Sequence, residues 1–172
     1  MEIKTYPDFL TSEECDFFRA MINKKTDANN FTDSGRFDNK IWQDPTLAAD
    51  FHKRLLILDP VEEQRYLRAN NVLMAGHYEV GDSFSLHTDT GLYYDMERKE
   101  KSRWTLLIYL NDDFEGGETV FYHTDTWAET HRIRPRKGMA LLFDIDLWHS
   151  GQPLLRGQKY WIGCEIIGAM KS

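Results

Sequence analysis

The chain has 172 residues, of which 41% are hydrophobic and 28% charged, and this predicts a single globular domain over residues 1–172 with a sizeable core. No apolar run is long enough to cross a bilayer and the N-terminus does not resemble a secretory signal, so we expect a cytoplasmic protein. The net charge of −7 disfavours broad binding to nucleic acid or to anionic lipid.

The first part of the chain, residues 1–70, is predicted to be a helical support. Thr11 with Glu14 three residues later fits a capping box, and apolar residues then recur at helical spacing. A second helix is predicted to begin after Asp44, with Pro45 at its first position, and to end near Pro60. Between the helices, residues 29–42 are rich in Asn, Asp and Gly, which predicts a loop.

From about residue 71 to residue 168, short apolar or alternating stretches separated by turn signals predict a mainly β unit, either a sandwich or a barrel. Helices that precede such strands would buttress one sheet. The one long polar break is residues 88–102. The predicted strands are Val72–Tyr78, Phe84–His87, Trp104–Leu110, Thr119–Tyr122, His131–Arg134, Met139–Phe143 and Lys159–Ile167.

Two His-x-Asp pairs, at His87 and at His123, are candidate metal ligands, and His77-Tyr78-Glu79 is a similar pair for which a structural role of His77 is favoured. Residues i and i+2 of a strand point to the same side, so such a pair can aim two ligands at one ion. Two histidines and one carboxylate bind Fe(II) and leave open positions for a co-substrate and oxygen. The stretch from His87 to a distant third ligand, His149, is long enough for about five strands, whereas the stretch from His123 holds about two. The spacing therefore favours the pair His87 and Asp89, and Asp125 is expected to lie in a turn after a strand.

Lys159 strengthens the interpretation of His149. It begins an apolar stretch ten residues after that histidine, and a lysine at the start of a buried strand is costly unless it pairs with an anion. The distal carboxylate of 2-oxoglutarate would be such a partner.

Three blocks of residues follow one another between Asn71 and Gly168: Tyr78-x-x-Gly81-x-x-Phe84-x-x-His87-x-Asp89; Tyr109-Leu110-Asn111 with Gly116-Gly117-Glu118-Thr119-Val120-Phe121; and His149-x-x-x-Pro153-x-x-x-Gly157-x-Lys159-Tyr160. In these blocks the sequence resembles the prolyl 4-hydroxylase type of Fe(II)/2-oxoglutarate dioxygenase. Only His87 meets the spacing from tyrosine to the first histidine in that family.

The resemblance implies a double-stranded β-helix, a jelly-roll barrel with Fe(II) inside, bound by His87, Asp89 and His149. It implies that Lys159 anchors 2-oxoglutarate and that three hydroxyl-bearing residues, Tyr78, Thr119 and Tyr109, lie beside it. The implied reaction is hydroxylation of an unactivated C–H bond by O2, with release of succinate and CO2. Ascorbate is a candidate reductant.

The resemblance favours a prolyl residue of a peptide or protein as substrate. Residues 29–42 and 88–102 are predicted to form the substrate walls, because polar, turn-rich loops often carry binding residues. The candidate substrate residues are Arg103, Trp42 and Tyr93, with Arg36 and Lys40 as further candidates.

Two alternatives stay open at this point. One is an oxygenase acting on a free amino acid, another small molecule or an alkylated nucleobase. The nucleobase is disfavoured by the acidic charge and by the lack of an arginine after Lys159. The other is a non-catalytic barrel that binds 2-oxoglutarate and metal, against which the presence of all four key residues argues.

Overall fold

Two helices lie before most of the strands, and both begin as the sequence predicts. The computed structural model describes residues 2–30 and 35–170. Helix α1, Ser12–Lys24, is capped by Thr11, whose hydroxyl accepts from the Glu14 amide while the Glu14 carboxylate accepts from the Thr11 amide. Helix α2, Pro45–Leu58, is capped by Asp44 and has Pro45 in its first turn.

Strands make up most of the remaining chain. In chain order they are β1 Ile3–Tyr6, β2 Gly35–Arg36, β3 Asp38–Gln43, β4 Arg68–Tyr78, β5 Ser83–His87, β6 Tyr94–Asp95, β7 Glu100–Tyr109, β8 Glu115–Gly116, β9 Thr119–Tyr122, β10 Glu129–Ile133, β11 Ala140–Asp144, β12 His149–Gly151, β13 Leu154–Arg156 and β14 Lys159–Ala169. A short 3₁₀ turn, Pro60–Glu62, follows α2.

The strands form two main sheets, which confirms the predicted jelly-roll barrel. The major sheet has the order β1-β11-β7-β14-β4-β3, with β6 added beside β7, and the minor sheet has the order β10-β9-β12-β5-β2. All the described pairings are antiparallel. Except for β3 with β4, β6 with β7 and β9 with β10, the neighbouring strands of the two sheets are not consecutive, so residues as far apart as Tyr78 and Lys159 become direct neighbours.

Two buried clusters show where the hydrophobic core lies. One packs the apolar faces of α1 and α2, including Phe18, Phe51 and Leu55, against the outer face of the major sheet. The other lies between the two sheets and includes Tyr109, Phe121 and Phe143. The helices therefore support one sheet from outside, as predicted, while the second cluster lines the interior of the barrel.

The division into a helical support and a barrel at residue 70 was too simple. Strand β1 pairs with β11, and β3 pairs with β4 over its whole length, from Asp38 opposite His77 to Gln43 opposite Val72. Residues 29–42 were predicted as a loop because their side chains have low strand propensity. Pairing with the edge of an existing sheet outweighs that propensity, and charged residues such as Lys40 are typical of edge strands.

The predicted strand ends were less accurate than the predicted strands themselves. β4 and β7 begin about four residues earlier than expected, at Arg68 and Glu100, and the three-residue strand β12 was not predicted. No helix among the described residues is long and apolar enough to span a bilayer.

Candidate metal centre and adjoining cavity

The two histidines of the predicted triad lie directly opposite each other on neighbouring strands. His87 ends β5, His149 begins β12, and the antiparallel register pairs the two residues. On its other side β12 pairs with β9, which places Phe121 beside His149. The strand order of the minor sheet therefore brings together ligands that lie far apart in the sequence.

Asp89 completes a compact group of three metal-binding side chains. Its Oδ1 atom lies 3.4 Å from Nε2 of His87 and 3.7 Å from Nε2 of His149. The ligand atoms of the three residues all lie within 4.8 Å of one another, and this is the one such group among residues 2–30 and 35–170. Two imidazoles and one carboxylate on one side of an ion are the donor set of non-haem Fe(II) oxygenases.

Backbone hydrogen bonds fix which nitrogen of each imidazole faces the metal position. Nδ1 of His87 lies 2.6 Å from the Ser85 carbonyl oxygen, and Nδ1 of His149 lies 2.9 Å from the Leu147 carbonyl oxygen. With Nδ1–H donating in this way, each Nε2 presents its lone pair. Nε2 of His87 is buried and has no hydrogen-bond partner among the described residues, which fits a metal ligand.

The charge states of the triad suit a divalent cation. Burial opposes ionisation of Asp89, but its interactions with His87, His149 and Thr105 outweigh burial and lower the pKa of the carboxyl. Burial lowers the pKa of His149 and favours the neutral imidazole that binds a metal. Asp89 is also fixed in place, because the Thr105 hydroxyl donates to Oδ2 at 2.5 Å and the Asp89 amide donates to the Ile145 carbonyl at 3.1 Å.

The competing histidines lie elsewhere. His123 follows β9 in a turn where the Asp125 amide is 3.3 Å from its Nδ1 and the Trp127 amide donates to its carbonyl. This is the turn after a strand that the sequence predicts. His77, in β4, stacks on Tyr160 with ring centroids 4.2 Å apart and is not part of the described metal cluster.

A cavity of about 320 Å³ adjoins the triad. Lys159 lies at its inner end with its side chain 2% exposed, and Nζ donates to the Gly117 carbonyl at 2.7 Å. The ammonium also lies 4.7 Å from the ring centroid of Tyr78 and 5.7 Å from that of Tyr109. Burial lowers the pKa of Lys159 to about 7, so an anion in the cavity would restore its charge.

The three hydroxyl-bearing residues predicted beside Lys159 are found there. Tyr78 and Thr119 line the cavity, and Tyr78 pairs with Lys159 across β4 and β14. Tyr109 is fully buried and its hydroxyl lies 2.7 Å from Oγ1 of Thr119. A dicarboxylate at this end would meet one cation and several hydroxyls, while its other end could reach the triad, so the described residues fit both Fe(II) and 2-oxoglutarate.

The candidate substrate residues have different surroundings. Trp42 is 8% exposed, belongs to the core on the helix side and is covered by Lys25, so its position does not support substrate contact. The Tyr93 hydroxyl donates to Asp95 and accepts from Arg68. Arg103 donates to the Ala169 carbonyl. None of the three lines the cavity; residues 88–92 do, with Glu165 beside them. The Arg36 side chain lies outside the described residues.

Glu165 was missed in the sequence, where it is a lone acid in an apolar strand. Its side chain is buried and lines the cavity at the end of β14 away from Lys159. Burial raises the pKa of this carboxyl, and hydrogen bonds from Ser102, Leu92 and Asn70 oppose that effect.

The fold and site agree with what is found by comparison with known proteins. The chain is 27% identical to a probable prolyl 4-hydroxylase 6 of Arabidopsis thaliana over 96% of its own length and 70% of the relative's. It spans 59–70% of the length of the curated plant relatives that it matches.

Two solved structures share the fold. A viral collagen prolyl hydroxylase from Paramecium Bursaria Chlorella virus-1, in complex with 2-oxoglutarate, matches with a TM-score of 0.70 and 20% identity, over 99% of this chain and 97% of that one. A Trichoplax adhaerens prolyl hydroxylase, bound to a peptide fragment of the hypoxia inducible factor oxygen degradation domain, matches with a TM-score of 0.67 and 17% identity, over 96% and 83%.

The sequence profile of the 2OG-Fe(II) oxygenase superfamily matches residues 73–164, a range that includes the whole triad and Lys159. The chain belongs to this superfamily and is a 2-oxoglutarate-dependent dioxygenase.

Proposed function

We propose that this dioxygenase hydroxylates a prolyl residue in a peptide or protein. The observation that carries the proposal is the triad of His87, Asp89 and His149 in a cavity whose inner end carries the buried Lys159. The choice of a prolyl substrate is supported by the named activities of its relatives, which act as prolyl hydroxylases.

Bound Fe(II) would supply the activation of O2 that the side chains of this chain cannot perform, with 2-oxoglutarate converted to succinate and CO2. The residues of the chain provide the geometry. His87, Asp89 and His149 would occupy one side of the ion and leave the positions towards the cavity open.

Lys159 would determine how 2-oxoglutarate is oriented. Its ammonium is fixed by the Gly117 carbonyl and lies in contact distance of Tyr78, so the distal carboxylate has one defined place to bind. Binding at that end directs the keto acid end of the co-substrate towards the triad. A neutral lysine cannot pair with the carboxylate, so binding draws a proton onto Nζ.

Aromatic side chains keep water away from the metal position. Phe84 stacks on His87 with ring centroids 3.8 Å apart, and Phe143 packs edge-on against His149 at 4.8 Å. Phe121 lies on the other side of His149 at 5.7 Å. A dry surrounding strengthens the electrostatic interactions of the bound groups and limits side reactions.

The substrate would enter where residues 88–92 line the cavity. Leu92 is 49% exposed although it belongs to the cavity wall, so it presents an apolar surface at the mouth. An apolar contact of this kind suits a pyrrolidine ring better than a strongly charged ligand.

The direct test is incubation with Fe(II), 2-oxoglutarate and O2 in the presence of proline-rich peptides or free proline. We expect a peptide to gain one oxygen atom at a prolyl residue, with one succinate formed for each hydroxylation, as measured by mass spectrometry. Hydroxylation of free proline alone would replace the peptide substrate by a small molecule. Binding of metal and 2-oxoglutarate without hydroxylation of any peptide or of free proline would refute the proposed prolyl substrate.

His149→Ala and His123→Ala form a matched pair of controls, since each removes one imidazole that follows or begins a strand of the minor sheet. Only the first should abolish peptide hydroxylation, because only His149 belongs to the triad. Loss of activity in both variants would show that the assay reports folding and not the metal centre.

A further inference from the structure

Strand β14 contributes two charged residues to the cavity wall, Lys159 and Glu165. The residues of this strand that line the cavity alternate along it: Lys159, Trp161, Gly163 and Glu165. The two charged residues are six positions apart, roughly 20 Å along an extended strand. Lys159 is accounted for by the co-substrate, whereas the proposed reaction leaves Glu165 without a role.

Both neighbours of β14 bulge beside Glu165. On the β4 side, Cys164 pairs with Leu73 and Ile166 pairs with Ala69, so residues 70–72 stand opposite Glu165 alone. On the β7 side, Ile166 pairs with Trp104 and Ile167 pairs with Ser102, so Arg103 is the extra residue. Bulges redirect side chains and are enriched next to active sites.

The redirected side chains converge on the Glu165 carboxylate. The Ser102 hydroxyl donates to Oε2 at 2.5 Å and the Asn70 amide donates to Oε2 at 3.2 Å. The third partner is the backbone amide of Leu92, 3.1 Å from Oε1 and 2.9 Å from Oε2. Oε2 accepts from all three donors, so the carboxylate is engaged with the protein around it.

Ser102 extends the contact to Tyr93, the residue that follows the cavity wall. Its hydroxyl oxygen accepts from the Tyr93 amide at 3.2 Å, and its own amide donates to the Tyr93 carbonyl at 2.9 Å. Two consecutive backbone amides, those of Leu92 and Tyr93, are therefore fixed by Glu165 and by the serine bound to it. Leu92 is the last residue of the cavity-lining segment that includes the metal ligand Asp89, and Tyr93 follows directly after it.

We propose that Glu165 is a positioning residue whose carboxylate, through the amides of Leu92 and of the following Tyr93, fixes residues 90–92 as the substrate-facing wall of the cavity. The identification of that wall with the substrate rests on the proposed function, whereas the effect of Glu165 on the segment does not. The metal ligand itself has separate anchors, since Asp89 is bound by Thr105 and by the Ile145 carbonyl. Loss of Glu165 should therefore loosen the wall and leave the metal site in place.

Glu165→Gln tests this with little change in volume. A glutamine that keeps its oxygen at the Oε2 position places its N–H2 group where Oε1 lies, facing the Leu92 amide, so the bond from Leu92 to Oε1 is lost and the remaining bonds go to a neutral acceptor. In the metal-free protein we expect the Leu92 and Tyr93 amides to exchange with deuterium about tenfold faster or more, with the Ile162 amide on the same strand as internal reference. The Mn(II) affinity should stay within about threefold of wild type, because the anchors of Asp89 remain.

Peptide hydroxylation supplies the functional readout. The KM for the peptide should rise by about tenfold while kcat changes less, since a loose wall weakens binding before chemistry. Thr105→Val is the matched opposite variant: it removes the hydroxyl on Asp89, so it should weaken Mn(II) binding and leave the Leu92 amide protected. Ile162→Val controls for general loss of packing in β14 and should change neither property.

Unchanged exchange at Leu92 and Tyr93 in Glu165→Gln would overturn the proposal, whatever happens to activity. Equal loss of Mn(II) binding and of amide protection would overturn it too, since Glu165 would then act on the whole site. If Glu165→Gln does not fold, Ser102→Ala removes one donor and the Tyr93 acceptor, and the same amides should lose protection. Faster exchange together with no hydroxylation of prolyl peptides by wild type would support the role of Glu165 and refute the proposed function.

Discussion

Replacing Lys159 by methionine should stabilise the metal-free protein while weakening its affinity for 2-oxoglutarate. Methionine has a similar length and no charge, so it fills the buried site without the desolvation penalty that lowers the pKa of Lys159 to about 7. Lys159→Arg is the matched control, because it keeps a cation that cannot lose its proton.

The magnitude follows from the pKa of the buried lysine. The difference between 10.5 and about 7 corresponds to roughly 4–5 kcal/mol at neutral pH, at about 1.4 kcal/mol for each pH unit. The variant also loses the hydrogen bond to the Gly117 carbonyl, at a cost of about 1–3 kcal/mol. A net gain of ~2 kcal/mol would raise the Tm of metal-free Lys159→Met by about 4–8 °C.

The pH dependence has a definite sign. Between about pH 7 and pH 10 the unfolded chain still binds the proton of this lysine while the folded chain has released it, so the free energy of unfolding of wild type rises with pH through that window. Lys159→Met should lack this rise. In wild type, 2-oxoglutarate binding above pH 7 should take up a proton and weaken by up to about tenfold for each further pH unit.

Two experiments on the same proteins give the three quantities that check this reasoning. Thermal unfolding of the metal-free forms gives the stability difference, and calorimetric titration of 2-oxoglutarate into the Mn(II) forms gives Kd and proton uptake in buffers of different ionisation enthalpy. We expect Kd to rise by at least about thirtyfold in Lys159→Met, because removing one partner of a buried ion pair costs about 2–5 kcal/mol. A Kd within threefold of wild type would refute the anchoring role, and a lower Tm for the variant would refute the desolvation argument.

Three further predictions concern the metal centre and the core. Anaerobic titration with Fe(II) and 2-oxoglutarate should give the weak visible band of the chelate in wild type and His123→Ala but not in His87→Ala; the reverse pattern would move the metal site to His123. Thr105→Val should weaken Mn(II) binding by roughly 10–100-fold, because Asp89 loses its hydrogen bond from the Thr105 hydroxyl. Calorimetry measures this affinity, and unchanged binding would show that the hydroxyl does not orient Asp89. Trp42→Ala should lower the free energy of unfolding by roughly 3–5 kcal/mol in urea titrations, because Trp42 is a core residue. It should leave the peptide KM unchanged. A raised KM in a stably folded variant would support the contact between Trp42 and substrate that the sequence predicted.

The metal centre could be predicted from the sequence because metal binding depends on the types of the ligand residues and on their spacing. His-x-Asp in a strand directs two ligands to one side, and the resemblance to prolyl 4-hydroxylases distinguished His87 from His123. The structure adds what spacing cannot give, namely the pairing of His87 with His149 across β5 and β12. The three-residue strand β12 is too short to produce a periodic pattern, although it carries the third ligand.

The substrate side was predicted poorly because composition does not determine which face of an element is buried. Trp42 lies in a polar, glycine-containing stretch that predicts a loop, yet pairing of β3 with β4 turns this side chain into the core. Strand pairing with a partner more than thirty residues away decided its position, and no local pattern reports such a partner.

The contacts of Glu165 could not be predicted from the sequence for a related reason. An acid within an apolar strand is ambiguous in sequence. Its partners Asn70 and Ser102 lie where β4 and β7 bulge beside it, and Leu92 comes from the segment between β5 and β6. The extra residue of β7, Arg103, shifts the alternation of that strand by one, so a strictly alternating interpretation assigns Ser102 to the wrong face. The same strand thus carries one charge that the sequence could predict, since 2-oxoglutarate is the proposed partner of Lys159, and one whose side-chain partners lie at irregular strand pairings. Substrate-binding features that differ between members of one fold are expected at such irregular places, because the regular pairing around them keeps the metal centre unchanged.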